Sequence, residues 1–189
     1  MTVHTANRHG DTQVFDVRLL GSVRVRSTDG SSVDLGGPKP KAVLVRLALR
    51  AGEVVSTDNL VDTLWGDDPP PTARRSLQAH VAKLRAALGA GDGPLRPSGS
   101  GYILDVPRAW VDVLRIEDDL RSARSVVSTD PDHAFELVAS CRRDWTGAPF
   151  EDLTDHEALT AEREHLFRLR DELADLEADL RLAFGSPAL

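Results

Sequence analysis

The residues of this chain that could do chemistry are concentrated in a basic stretch, Thr72 to Leu88, that contains no acidic residue. On a helical wheel of about 100° per residue, its apolar side chains form one narrow stripe that must face a core. The opposite face mixes cations and hydroxyls with one small alanine, which lets the backbone approach another surface closely. The stripe is Leu77, Val81, Leu84 and Leu88; the opposite face is Thr72, Arg75, Ser76, Ala79 and Lys83; and one flank is Arg74, Gln78 and Arg85.

A face of this kind suits DNA. A helix of this length is about 25 Å long and fits a major groove about 12 Å wide. We expect Arg75, Ala79 and Lys83 to contact base edges, which give specificity. Phosphate contacts, which fix the register, are expected from the flanking Arg74 and Arg85, and Arg96 at the base of a predicted hairpin can reach the neighbouring groove. The alternative is a solvated basic face with local salt links; the position of the helix in the predicted fold favours DNA.

The neighbouring elements predict the scaffold that positions this helix. Alternating apolar residues from Val14 onward indicate strands, the third of them at Val33 to Leu35. Helical spacing and glycine stop signals then predict three helices, and a glycine-rich turn predicts a hairpin. The predicted elements are helices over 39–51, 56–65 and 72–88, a bridging strand at 53–55, and a hairpin over 95–106. This order is an α+β winged helix-turn-helix with an N-terminal antiparallel sheet.

Pro107 marks a predicted boundary, beyond which the pattern is entirely helical. The last helix is expected from about Asp155 to Phe184, with a leucine stripe broken only by Glu162. The charge changes at the same place: residues 1–108 carry 14 basic and 11 acidic residues (+3), and residues 109–189 carry 9 and 19 (−10). The acidic half would be repelled by DNA and should point away from it. The predicted divisions are a disordered tail at 1–13, a DNA-binding domain at 14–107 and a helical domain at 108–189.

Several function classes are excluded or disfavoured by the composition. Cys141 is the only cysteine, which rules out an internal disulfide and a multi-cysteine zinc site and favours a reducing, cytoplasmic location. No apolar run approaches the roughly 18 residues of a membrane span. His156 and Glu157 begin a zinc-protease pattern, but Thr160 stands where the second histidine is required. We therefore expect no enzymatic activity, no metal and no cofactor.

Two groups of motifs resemble known families. Ser76 to Arg85 and Gly99 to Tyr102 resemble the OmpR-type winged helix. The combination with the later motifs is similar to the Streptomyces antibiotic regulatory protein family over about residues 14–184. The residues that carry this closer match are Leu64 to Pro70, then Leu77, Gln78, His80, Val81, Leu84 and Arg85, then Trp110 to Val113, and finally Trp145 to Phe150 with Asp152.

The resemblance implies a fold and a function. It implies a winged helix followed by an all-α, TPR-like bacterial transcriptional activation domain, of which this chain would hold the N-terminal part. It also implies binding to direct repeats in promoters of double-stranded DNA, recruitment of RNA polymerase and control of a secondary-metabolite gene cluster, all at the nucleoid. Positions matching Ala79 and Lys83 would contact bases. The loop that would face polymerase is Trp65, Gly66, Asp67, Asp68, Pro69, Pro70 and Pro71.

Other functions stay open from the sequence. A protein interaction adaptor built on a winged helix is mildly favoured by the net charge of −7. A DNA-binding repressor would use the same residues as an activator. A homodimer could form on DNA or through the last helix, where residues 159, 166, 173 and 180 are leucines at heptad spacing. The alternative to such a dimer is that these leucines belong to the core of the chain itself.

Overall fold

The computed structural model, which describes residues 15–27, 29–89 and 93–184, begins with an antiparallel hairpin. Strands β1 (Phe15–Arg18) and β2 (Arg24–Ser27) pair with Phe15 opposite Ser27. Alternate residues of both strands are buried, as the period-two pattern predicts. The predicted tail, 1–13, lies outside the described residues.

The predicted third strand at Val33 to Leu35 is wrong. Only an isolated bridge joins Arg26 to Ser32, and the amide of Val33 donates to the carbonyl of Val25. The chain then turns away, because the Asp34 carboxylate accepts the amide of Gly36, whose φ is +83°. Such a side-chain bond to the backbone competes with a continued ladder.

The winged helix-turn-helix is confirmed. Helix α1 (Pro38–Ala48) packs against α2 (Thr57–Trp65) and α3 (Ala73–Ala87). The second sheet is antiparallel, and its strands lie in the order β3 (Val54–Ser56), β5 (Gly101–Leu104), β4 (Leu95–Ser98). Gly101 permits the sheet to close, since a Cβ at that position would lie 2.0 Å from the carbonyl oxygen of Val55.

The second half is helical, as predicted. Helix α4 (Asp112–Val126) packs on α5 (Pro131–Asp144), and α6 (Thr160–Phe184) packs mainly on α5. The N-cap of α5 is Asp130, whose side chain accepts the amide of His133. The last helix starts five residues later than predicted, after 3-10 turns at Glu151–Leu153 and Glu157–Leu159.

The leucines proposed for pairing of the last helix belong to the core of the chain itself. Leu173 and Leu180 are each 2% exposed, and Leu176 is half-buried. The heptad spacing therefore reports packing on α5 rather than a free dimer surface. Glu162, the break in the stripe, is explained by its ion pair with Arg46 of α1.

One junction between the two halves is built on the end of β1. The buried Asp112 carboxylate accepts the amides of Leu19 and Leu20 at 2.9–3.0 Å and that of Val113 at 2.8 Å. Burial raises its pKa to about 6 in spite of these donors. The Phe150 amide also donates to the carbonyl of Leu19. A single apolar cluster runs across Pro107, and the division into domains at that residue stays a prediction.

Candidate nucleic-acid interface

Helix α3 is held by its apolar stripe. Leu77 and Leu84 are fully buried and Val81 is 2% exposed, so the helix is fixed against α1 and α2 by the side chains that the wheel assigned to the core. Burial of each such side chain stabilises the fold by about 1.5–3 kcal/mol. The opposite side is thereby presented to solvent.

The predicted base-reading face is exposed. Thr72, Arg75, Ala79 and Lys83 are all exposed, and Ser76 is half-buried. Within the part of the chain that the structure describes, neither Arg75 nor Lys83 forms an ion pair. Both cations are therefore available to an anionic partner without first breaking an ion pair.

On the flank predicted to bind phosphate, Arg74 already forms an ion pair. The Arg74 guanidinium lies 2.5 Å from the Asp58 carboxylate of α2, with both side chains more than two thirds exposed. An ion pair this exposed stabilises little, so a phosphate can replace the carboxylate at low cost. Gln78 is exposed, and the half-buried Arg85 has no ion pair among the described residues.

The hairpin beside α3 is anchored to α2. Thr57, at the start of α2, donates from Oγ1 to the carbonyl of Ser100 at 2.8 Å, which fixes the β4–β5 turn. Arg96 on β4 is exposed but ion-paired with Asp105, so its predicted contact with DNA requires an exchange of partners like that of Arg74.

One further cation that the sequence did not single out, Lys39 at the start of α1, lies close to α3. The Lys39 ammonium lies 4.8 Å from the centroid of the Trp65 ring. Burial, and then the charges of Lys39 and Lys83, lower the pKa of His80 on α3. The signal in the sequence is the pair of lysines in the first turn of a helix that contains no acid there.

The loop between α2 and α3 projects outward from a half-buried tryptophan. Trp65 packs against the core, and the residues from Gly66 to Pro71 are all exposed. Two aspartates and three prolines thus form a stiff acidic surface beside the basic helix. This loop contains the positions that the family resemblance assigns to polymerase.

The acidic helical half does not neutralise α3. Three of its carboxylates form ion pairs with cations of the sheet and α1: Asp152 with Lys41, Glu162 with Arg46, and Asp144 with Arg18. No cation of α3 has an ion-pair partner among the described residues beyond Pro107. The basic face of α3 is therefore not neutralised by these carboxylates.

The described ranges contain neither a metal-binding cluster nor a membrane-spanning helix. Among the described residues, no three side chains of His, Cys, Asp or Glu are grouped so that they could hold a metal ion. None of the helices described here combines the length and the apolar character that crossing a membrane requires.

Comparison with known proteins points to regulators of transcription. Residues 30–104 match the family described as "Transcriptional regulatory protein, C terminal". The transcriptional regulator RedD of Streptomyces coelicolor is 32% identical over 138 residues, or 70% of this chain and 39% of that protein. The regulatory protein DnrI of Streptomyces peucetius is 39% identical over 112 residues, or 54% of this chain and 41% of that protein.

A solved structure supports the same fold. Mycobacterium tuberculosis EmbR, in complex with a low affinity phosphopeptide, superimposes with a TM-score of 0.85 at 28% identity. The match covers 92% of this chain and 47% of that one, so it includes both the winged helix and the helical half. The chain spans less than half the length of these relatives.

Proposed function

Because the chain belongs to the Streptomyces antibiotic regulatory protein family, with an OmpR-type winged helix followed by a helical domain, we propose that it binds specific sequences of duplex DNA and regulates transcription there. Helix α3 enters the major groove, where Arg75, Ala79 and Lys83 contact base edges. Arg74 and Arg85 contact the flanking phosphates, and Arg96 reaches the next groove.

The observation that carries this proposal is the exposed basic face of α3. Arg75 and Lys83 are exposed, have no ion-pair partner within the described ranges, and lie on a helix without an acidic residue. An electrostatic surface of this kind supplies the sequence-independent part of DNA affinity, and base contacts add the specificity.

The finer parts of the proposal follow the family. Two copies bind direct repeats side by side, and the loop from Trp65 to Pro71 contacts RNA polymerase at promoters of a secondary-metabolite gene cluster. Exposure of this loop next to α3 supports the assignment, because a polymerase bound to the same duplex would meet it. The whole protein acts as an activator when its site leaves the promoter open to polymerase.

The test is binding to duplex DNA at several salt concentrations, on sites first selected from a random pool. The logarithm of the binding constant should fall linearly with the logarithm of salt, by about 0.9 for each phosphate neutralised. The selected sequences should contain a short motif repeated in one orientation. Absence of any salt dependence would contradict DNA binding and favour the adaptor alternative.

Two variants separate the roles of the cations in the same assay. Lys83→Ala should reduce discrimination between selected and scrambled sites by about 1–3 kcal/mol, because a base contact is lost. Arg74→Ala, the matched control on the flank, should weaken binding to both sites equally. Equal weakening of both sites by Lys83→Ala would remove that lysine from the base-reading set.

A further inference from the structure

The basic surface does not end at α3, and its continuation lies on the N-terminal sheet. We propose that Arg24 on β2 contacts the phosphate backbone of DNA beside the groove that α3 enters. This inference rests on the proposed function, because it extends the same interface to a second element.

The first link between α3 and the sheet is the contact of Lys83 with Gly36. A Cβ placed on Gly36 would lie 2.4 Å from Nζ of Lys83 and 2.6 Å from its Cε. The lysine side chain therefore lies directly on the backbone at Gly36, whose φ of +83° favours glycine. The segment before α1 is thus in contact with the predicted base-reading face.

The second link is an open cleft of about 250 Å³ that begins at this glycine. Its lining includes Gly36, Asp34 and Ser32 from the segment before α1, and Arg24 from β2. The cleft therefore runs from Arg24 to Gly36, the residue that Lys83 contacts, although Lys83 and Arg24 are 59 positions apart in the sequence.

Within the described ranges, the cleft offers one unpaired guanidinium to an anionic ligand. Arg24 is exposed and forms no ion pair with any residue in the described ranges. Lys41, which also lines the cleft, is neutralised by Asp152, and the Asp34 carboxylate accepts the Gly36 amide at 2.8 Å. Arg24 is thus the cation of the cleft that still lacks a partner, and Lys83 stands at its edge.

Duplex DNA is the occupant that these positions favour. A DNA strand carries one phosphate for every 3.4 Å of helix axis. The strand that borders the groove occupied by α3 therefore offers further phosphates to a cation beside that helix, such as Arg24. The contact would be independent of base sequence, since a guanidinium on a phosphate reads no base edge. It should therefore change affinity and leave specificity unaltered.

The experiment compares Arg24→Gln with the unmodified chain on one selected site, over a range of salt. The expected result is weaker binding, a salt slope smaller by about 0.9, and unchanged discrimination between selected and scrambled sites. Arg24→Lys, which keeps the charge, should restore the slope. Arg143→Gln on α5 is the matched control, because Arg143 is exposed and has no ion pair among the described residues; it should leave the slope unchanged.

Two outcomes would overturn the inference. If Arg24→Gln keeps the full salt slope, Arg24 contacts no phosphate. If it weakens binding only on duplexes that carry two sites, the surface contacts a second copy of the chain instead. Either result leaves the proposed function intact, because that function fails only if the unmodified chain shows no salt-dependent binding.

Discussion

At the scale of single residues, the cations of the proposed interface differ in whether they already form an ion pair in the free protein. Arg74 and Arg96 hold carboxylates in the free protein, while Arg75 and Lys83 have no partner within the described ranges. His80 lies among cations, and burial together with Lys39 and Lys83 lowers its pKa below the ordinary 6.5. The neutral imidazole is thus the form that the folded protein favours.

The first prediction at this scale concerns the pH dependence of His80. Because its pKa is lowered in the folded state, its contribution to stability is present above about pH 6.5 and is lost as the pH falls. His80→Gln should therefore lose less stability than the unmodified chain between pH 7 and pH 5, measured by denaturant unfolding. Nuclear magnetic resonance should place the titration midpoint of this ring below 6.5.

Lys39→Ala provides the control for this assignment. Removing one neighbouring cation should move the midpoint of His80 upward, toward its ordinary value. A midpoint at or above 6.5 in the unmodified chain would show that the ring is better solvated than its surroundings in the structure indicate.

At the scale of elements, the junction between β1 and α4 decides how the helical half sits on the winged helix. One buried carboxylate, Asp112, receives three amides, two of them from the end of β1. The strand ends before Leu19 and Leu20, whose amides are satisfied by a side chain rather than by a ladder. Position 112 thus fixes the first turn of α4 against the sheet.

The prediction at this scale is the effect of Asp112→Ala. The substitution leaves the amides of Leu19 and Leu20 without their acceptor, at a cost of about 1–3 kcal/mol for each buried donor. The free energy of unfolding, measured in denaturant, should fall by several kcal/mol. Asp118→Ala, which breaks exposed ion pairs on the same helix, should change it by about 1 kcal/mol or less.

Comparing the losses of unfolding free energy in the Asp112→Ala and Asp118→Ala variants tests this prediction. Equal effects of the two substitutions would mean that the Asp112 carboxylate is hydrated and that the junction is held by apolar contacts alone.

At the scale of the whole molecule, the two halves form one folded body. The apolar cluster is continuous from Phe15 to Leu180, and three ion pairs connect the helical half to the sheet and α1. Helix α3 contributes its apolar stripe to this cluster and its basic face to solvent. The ion pairs hold the acidic half on the sheet and α1, and none of them involves a cation of α3.

The prediction at this scale is a single unfolding transition. Variants that retain only Trp65 or only Trp145, with the other tryptophans replaced by Phe, should show the same denaturant midpoint by fluorescence and by circular dichroism. Two separate midpoints would show that the halves unfold independently and that the shared core contributes little to their coupling.

Much of this protein was determined by its sequence alone. Alternation fixed β1 and β2, the spacing of Leu77, Val81 and Leu84 fixed both the helix and its outward face, and the proline-rich turn fixed its beginning. These features are local, since each follows from a period of two or 3.6 residues and from stop signals within one segment. The family motifs added the order of the two halves.

Only the tertiary structure decided which charges meet. Arg74 with Asp58, Glu162 with Arg46, and Lys83 on Gly36 join residues from separate elements, and no local period relates their positions. The same holds for the failure of the third strand and for the burial of Leu173 and Leu180. For the ion pairs and the buried leucines, a long-range contact selected one of several partners that the local pattern allowed equally, whereas the third strand is ended by the bond between Asp34 and Gly36.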